Sequence, residues 1–356
     1  MADSWTFAVA RDDLSRTTIA THPAPEPADG EAVLRVDRVG MTANNITYAV
    51  LGDSYRYWEF FPAADRGLDA TWGLGPVWGF AEVVASRVAG VEPGQRFYGY
   101  YPPAQHLTVR PGQVDAQGFR DTSPHRADLP SPYNRYRSTS GDAVYSKDDE
   151  DLLILFRPLF FTSFMLADQL VDNDYYGART LLVSSASSKT AYAAAFELYG
   201  KDARLVGLTS PGNVEFTRSL GCYDEVLSYD QLTTLDPATP TAYLDLAGRP
   251  EIRTALREHF GTALVQDIAV GLTNQIPNAQ SAQSVFFAPD QMAKRTRDWG
   301  RDGLDARFAD AWRRFLSLAR QMVDVQVSHG AEGLRNAWLE VLSGRAAPRT
   351  GHVIAL

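Results

Sequence analysis

Between Arg179 and Gly271 the chain alternates short apolar runs with amphipathic stretches: RTLLVS, SSKTAYAAAFELYG, ARLVGLT, NVEFTRSLG, DEVLSY, AYLDLAG, PEIRTALREHFG and ALVQDIAVG. Continuous runs such as LLV and LVGL suit strands buried on both faces, and the helix-period segments between them are the crossovers that a parallel sheet requires. This rhythm predicts a Rossmann-like nucleotide-binding domain over residues 156–289.

The first hundred residues differ. EAVLRVDRVGMT, VWGFAEVVASRV, RFYGYY after the turn GVEPGQ, and AQHLTV read as short strands of a β-rich domain. Residues 111–150 are polar and too long for a simple connection, which predicts an insertion or a flap over an active site. PLFFTSFMLADQL reads as a helix that starts at Pro158. After the parallel-sheet region come a helix pattern, DARFADAWRRFLSLARQMV, then GLRNAWLEVLSG and a last strand in GHVIAL. The expected class is therefore α/β, a β-rich region followed by a Rossmann-like one.

Charge and cysteine content narrow the function. With 43 acidic against 34 basic side chains the net charge is −9, and no basic run stands out that could follow a phosphate backbone, so no nucleic-acid partner is expected. One cysteine, Cys222, supplies neither an internal disulfide nor a Cys-rich metal site, which fits a reducing compartment. MADSWTFAVARDDL lacks the pattern of a secretory leader, and the densest apolar stretch, LLILFRPLFFTSFMLA, is interrupted by Arg157 and Pro158. The expectation is a cytoplasmic protein, not membrane-bound, that acts on a small molecule.

Seven segments in order carry a family resemblance: GEAVLRVDRVGMTANNITYAVLGD, VEPGQRFYG, AQHLTV, LFFTSFMLADQL, EFTRSLGCYDEVLSY, YLDLAG and SGRAAPRTGHVIAL. Together they resemble the medium-chain dehydrogenase/reductase superfamily, most closely its zinc-free quinone oxidoreductase and enoyl reductase branch. The resemblance implies a GroES-like catalytic domain built from both chain ends, residues 1–155 and 290–356, and a Rossmann-fold cofactor domain between them, residues 156–289. It also implies a homodimer through an edge strand of the cofactor domain, for which ALVQDIAVG is the segment. Where zinc-dependent members carry metal ligands this chain reads WGFAE, so no catalytic zinc is expected.

A second departure concerns the glycine-rich turn after the first cofactor-domain strand. Here it reads Ser184, Ser185, Ala186, Ser187, Ser188, Lys189, Thr190, without a glycine. Glycines let backbone N–H groups and a helix N-terminus approach a pyrophosphate. Ser185, Ser187, Ser188 and Thr190 could rebuild that cradle with hydroxyl donors and Lys189 with a charge, or the serines could simply cap the helix. The chain has only four lysines, which makes one at this turn informative. At the end of the second strand, where NAD-binding sheets carry an acid, stand Thr209, Ser210 and Asn213. These neutral donors tolerate a 2′-phosphate and favour NADP, with Arg218 further along as a candidate charge partner; the alternative is that Thr209 and Ser210 only form a turn before Pro211 and that Arg218 is a solvated helix charge.

On the substrate side, the resemblance places the nicotinamide in the cleft between domains, against residues matching Thr42, Asn45 and Thr162. Asn45 either orients substrate or cofactor, or caps the helix ITYAVLG. The aromatic stretch after Gly52 offers Tyr55 and Tyr57 as proton donors, and Tyr48 faces the same region; the alternative is that these rings wall the pocket. The leading expectation is a zinc-independent, NADPH-dependent reductase of a small enone, quinone or ketone. Two others stay open: a lyase or isomerase with structural NADP, and a binding protein that has lost cofactor affinity.

Overall fold

The computed structural model describes residues 3–270 and 284–356. They fall into two compact units, one formed by the stretches up to Leu155 and from Val323 to Leu356, the other by Phe156 to Met322.

In the second unit a six-stranded parallel sheet has the spatial order Glu225–Ser228, Arg204–Thr209, Thr180–Val183, Thr241–Asp245, Leu264–Val270, Ser284–Phe286. Numbered along the chain this is the 3-2-1-4-5-6 order of a doubly wound dinucleotide-binding sheet. Leu182, Val206, Leu208 and Tyr243 meet Ile252, Leu256 and Phe260 in one buried cluster. The helix Ala288–Met322 is interrupted at Gly300, where φ is +72°. Beyond that break it brings Phe308, Trp312 and Phe315 onto Phe156 and Phe160, with Phe160 and Phe315 stacked at 4.7 Å between ring centroids. That aromatic stack is why this unit runs to Met322, whereas the sequence reading ended it at 289.

Leu264–Val270, the segment expected to serve an edge-to-edge homodimer, is not the sheet edge. Ser284–Phe286 pairs in parallel with its outer side and takes that position.

The first unit is β-rich. Ala32–Met41, Val77–Ser86 and Arg96–Tyr101 are the middle of a nine-stranded sheet, and Asp3–Ala10 belongs to a separate three-stranded one. The stretch 111–150 is not a flap. Its strands Pro111–Asp115, Gly118–Asp121 and Arg135–Ser138 extend the large sheet from Arg96–Tyr101. A buried ion pair pins it: Arg126 Nη1 lies 3.2 Å from Asp121 Oδ2, each side chain being 1% exposed. Arg126 also donates to the Phe60 carbonyl and the Tyr136 hydroxyl, and its guanidinium stacks 4.6 Å from the Phe61 ring centroid.

Pro158 does not start a helix either. One helix, Glu150–Asp172, runs through both Arg157 and Pro158. Proline removes a single hydrogen bond, to the Ile154 carbonyl, which a long helix anchored by Leu152, Leu153, Phe156, Phe160 and Leu166 in buried positions can absorb. Of the described helices this is the one long and apolar enough by composition to cross a membrane, yet 61% of its apolar window is buried within the protein. The architecture is thus α/β, a GroES-like β-rich unit and a Rossmann-fold unit.

Candidate functional sites in the two units

In the Rossmann unit the site grows from the end of strand Thr180–Val183. Ser184 is fully buried, and its hydroxyl oxygen accepts the N–H groups of Leu246 and Ala247, each at 3.0 Å. Behind it Asp245 accepts from the Tyr243 hydroxyl at 3.0 Å and the Gly248 N–H at 2.9 Å, and forms an ion pair with Arg253. The ends of two adjacent strands are thereby tied together.

Ser185 then takes φ +52°, the left-handed conformation that the missing glycine would ordinarily supply. Its N–H donates to the Tyr229 hydroxyl at 2.9 Å, so this one amide of the turn already has a phenol as partner. The close approach between turn and next strand is kept by a glycine elsewhere. A Cβ on Gly207 would lie 2.9 Å from the Ala186 Cβ and 3.1 Å from the Tyr223 ring. Ser188 is the N-cap of helix Lys189–Leu198 and accepts from the Ala191 N–H.

Ser187 is the centre of the polar group. Its oxygen accepts from Thr209 Oγ1 at 3.2 Å and from Asn213 Nδ2 at 3.3 Å. A serine hydroxyl has two acceptor sites and one hydrogen, so two incoming donors leave its proton to be given outward. Ser210 is exposed beside them, and no carboxylate stands at the end of this strand. Lys189, on the first turn of the helix, has its ammonium pKa pushed down to about 8 by burial. Arg218 is engaged with Glu215 at 2.8 Å. Thr162 donates to the Pro158 carbonyl one turn back, which leaves its oxygen as an acceptor, and the Thr190 carbonyl accepts from Ser163 at 2.7 Å.

In the β-rich unit the site is an aromatic box. Trp78 and Tyr100 are direct cross-strand partners, and Phe80 with Tyr98 form the next pair on that sheet face. Helix Ala43–Val50 lays Tyr48 across them, 5.4 Å from Tyr100 and edge-on. Gly52 ends this helix where a Cβ would sit 2.0 Å from the Trp58 indole, so the indole locks the following turn Tyr57–Phe60 in place. The extended insertion contributes Tyr133, whose ring lies 4.7 Å from Tyr100 and 5.7 Å from Tyr57.

The phenols are wired together. Tyr48 Oη accepts from Asn44 Nδ2 at 2.7 Å and from Trp78 Nε1 at 3.0 Å. With two donors received, its own proton goes to its third hydrogen-bond partner, Tyr133, or to a group that takes the place of Tyr133. Burial raises its pKa far enough to keep it protonated at neutral pH, while Trp78, Asn44 and Tyr133 each oppose that rise by hydrogen bonding. Tyr57 Oη and Tyr133 Oη are 3.3 Å apart at the half-buried rim, and burial raises both pKa values. Tyr55 stacks on Tyr57 from outside, with 6.3 Å between centroids.

Asn45 is fully engaged in local structure. Its Oδ1 accepts from the Thr42 N–H at 2.8 Å in a capping box, and its Nδ2 donates to the Pro76 carbonyl at 2.9 Å. The capping alternative therefore accounts for its contacts, and the neighbouring Asn44 is the amide that reaches a phenol. Sequence reasoning missed Asn44, Trp78 and Tyr100. The one signal for Trp78 was its place in WGFAE, the stretch set against the metal ligands of the zinc-dependent members of the resembled superfamily.

The fold and the two sites define the class: a GroES-like unit and a 3-2-1-4-5-6 Rossmann unit with a polar turn after the first strand. The chain belongs to the family described as "Protein of unknown function (DUF2855)", whose model matches residues 39–347. No curated protein matches the sequence. Among solved structures it is similar to CurA from Vibrio vulnificus, with 16% identity, TM-score 0.62, and 99% of this chain and 98% of that one covered. CurA is also solved in complex with NADPH, at 15% identity, TM-score 0.62 and the same coverage. The CurF ER cyclopropanase of the curacin A biosynthetic pathway follows at 14% identity and TM-score 0.59, covering 99% of both chains. At these identities the likeness is one of fold.

Proposed function

We propose that this protein is an NADPH-dependent reductase of a small enone, quinone or ketone. The observation that carries the reading is Ser187, a hydroxyl loaded with two donors and left to give its proton at a helix N-terminus, beside a strand end without a carboxylate. A phosphate supplies the acceptor that this arrangement lacks. The solved complex of CurA with NADPH, on the same fold, supports the choice of ligand.

Ser187, Ser188 and Thr190 would hold the pyrophosphate, with Lys189 adding its charge. Thr209, Ser210 and Asn213 would accommodate the adenosine ribose and its 2′-phosphate, and the Thr162 oxygen would accept from the carboxamide. The left-handed Ser185 shapes the turn. Bound there, the reduced nicotinamide supplies a hydride. Tyr48 donates a hydrogen bond to the substrate carbonyl, its oxygen steadied by Asn44 and Trp78. Tyr57, at the rim, is positioned to release a proton to the substrate carbon, with Tyr133 as its partner and Tyr55 as its outer wall. Asn45 acts by holding the helix that carries Tyr48.

The Tyr229 phenol on the Ser185 amide favours a second reading, a binding protein without cofactor affinity, because it occupies a donor that a phosphate would use. Calorimetric titration with NADPH and with NADH separates the two. Micromolar NADPH binding with much weaker NADH is expected, followed by substrate-dependent loss of NADPH absorbance with a panel of enones, quinones and ketones. If neither nucleotide binds, the reductase reading is wrong.

A further inference from the structure

The hydroxyl of Tyr100 is buried and makes no hydrogen bond to the described residues. This is costly: a buried polar atom without a partner forfeits its hydration and gains nothing in exchange. Phenylalanine would fill the same space on the same strand without that penalty. The position is not one where the sheet needs a polar side chain, since the Tyr100 carbonyl, not its hydroxyl, receives the Tyr136 hydroxyl.

The surroundings are unusual for an orphaned phenol. Burial, and after it the neighbouring phenols of Tyr48, Tyr133 and Tyr57, oppose its ionisation, while the Arg126 guanidinium favours it. The ring is enclosed by Trp78 at 5.0 Å, Tyr48 at 5.4 Å, Phe60 at 5.4 Å and Tyr133 at 4.7 Å. Around it, then, stand mutually bonded phenol hydroxyls and flat apolar walls, with a buried cation in the second layer. Tyr57 and Tyr133 are the half-buried members, and their 3.3 Å contact is the weakest link of the network. A ligand oxygen that parted this contact and took the place of Tyr133 at the Tyr48 hydroxyl would enter beside the Tyr100 ring, 5.4 Å from that of Tyr48.

We propose that Tyr100 and Tyr48 form a two-donor oxyanion site, and that the site takes a planar conjugated oxygen anion, an enolate or phenolate, held between the aromatic walls. Two donors are shorter of a partner than one, and an anion delocalised over a flat skeleton satisfies both the hydroxyls and the rings. The proposal deepens the reading of Tyr48 as carbonyl donor and rests on it, but it needs no nucleotide: the site is complete within the β-rich unit.

The test is Tyr100→Phe in the full-length protein, read in two ways. A structural role and a ligand role predict opposite signs. Thermal unfolding should show Tm unchanged or raised, because a buried orphan is removed. Titration with para-nitrophenol, followed by the absorbance of its bound anion and run with and without NADPH, should show affinity weakened about tenfold, the effect of losing one hydrogen bond to a charged acceptor. A lowered Tm with unchanged affinity would assign the hydroxyl to the fold and overturn the proposal, as would a wild-type protein that does not bind the phenol. Because one arm omits the nucleotide, absence of NADPH binding leaves this result readable. Turnover of NADPH without any effect of Tyr100→Phe on phenol binding would sink this inference alone.

Discussion

The serine turn of the Rossmann unit and the tyrosine box of the β-rich unit meet the same requirement by different means. In each, one hydroxyl receives two donors and must give its own proton: Ser187 from Thr209 and Asn213, Tyr48 from Asn44 and Trp78. The turn is polar, partly exposed and built from two consecutive strand-to-helix connections. The box is aromatic and largely buried, and draws on a helix, a 3-10 turn, two strands and an insertion. The difference teaches that a donor can be aimed either by short local spacing or by tertiary packing, and that the second depends on whatever holds the distant piece in place.

That dependence gives the largest expected effect. Arg126→Met leaves Asp121 charged and buried without its partner, so unfolding by urea should show a loss of about 3–5 kcal/mol. A loss below about 1 kcal/mol would mean that the insertion carrying Tyr133 is held by something other than this pair. Next comes Tyr48→Phe, which should lower turnover of NADPH with an active enone or quinone by roughly 10²–10³-fold at little change in KM, the usual cost of removing one donor to a developing oxyanion. Equal loss from Tyr55→Phe would contradict the order of importance read from the box.

The turn is probed through charge. Lys189 has its pKa lowered to about 8, so it is cationic below that pH and neutral above. NADPH affinity should accordingly weaken as pH rises through about 8, and Lys189→Met should lower the affinity about tenfold at neutral pH and flatten this profile. A profile that is the same in wild type and variant would remove Lys189 from the phosphate site. The smallest effect is expected of Ser185→Gly, which relieves a left-handed serine and should raise stability by about 1 kcal/mol with NADPH binding retained. Destabilisation would show that the Ser185 side chain is needed.

The contrast also explains what could be read in advance. The parallel sheet was legible because its strands are short apolar runs and its helices lie between them, each a local pattern. That Ser185, Ser187, Ser188, Thr209 and Asn213 stand on two consecutive strand-to-helix turns was legible for the same reason. The tyrosine box was only partly so. Tyr57 and Tyr133 are 76 residues apart, and nothing local marks them as partners. Pro158 misled because proline is a helix-start signal only where its missing hydrogen bond decides the outcome, and burial decided it instead. Asn44 and Asn45 were indistinguishable as neighbours on one helix turn; the cap geometry separates them.

Gly207 has a consequence for how such sites change over generations. The space that a glycine in the turn would have provided comes from the facing strand, 21 positions after Ala186, where the absent Cβ admits the Ala186 methyl group and the Tyr223 ring. The two positions are therefore epistatic: a side chain at 207 is tolerable only if 186 gives up its own. Among relatives of this chain a side chain at 207 should come with glycine at 186 and a smaller or shifted residue at 223, and a fingerprint search confined to the turn passes over a Rossmann fold whose close-approach glycine stands on the neighbouring strand.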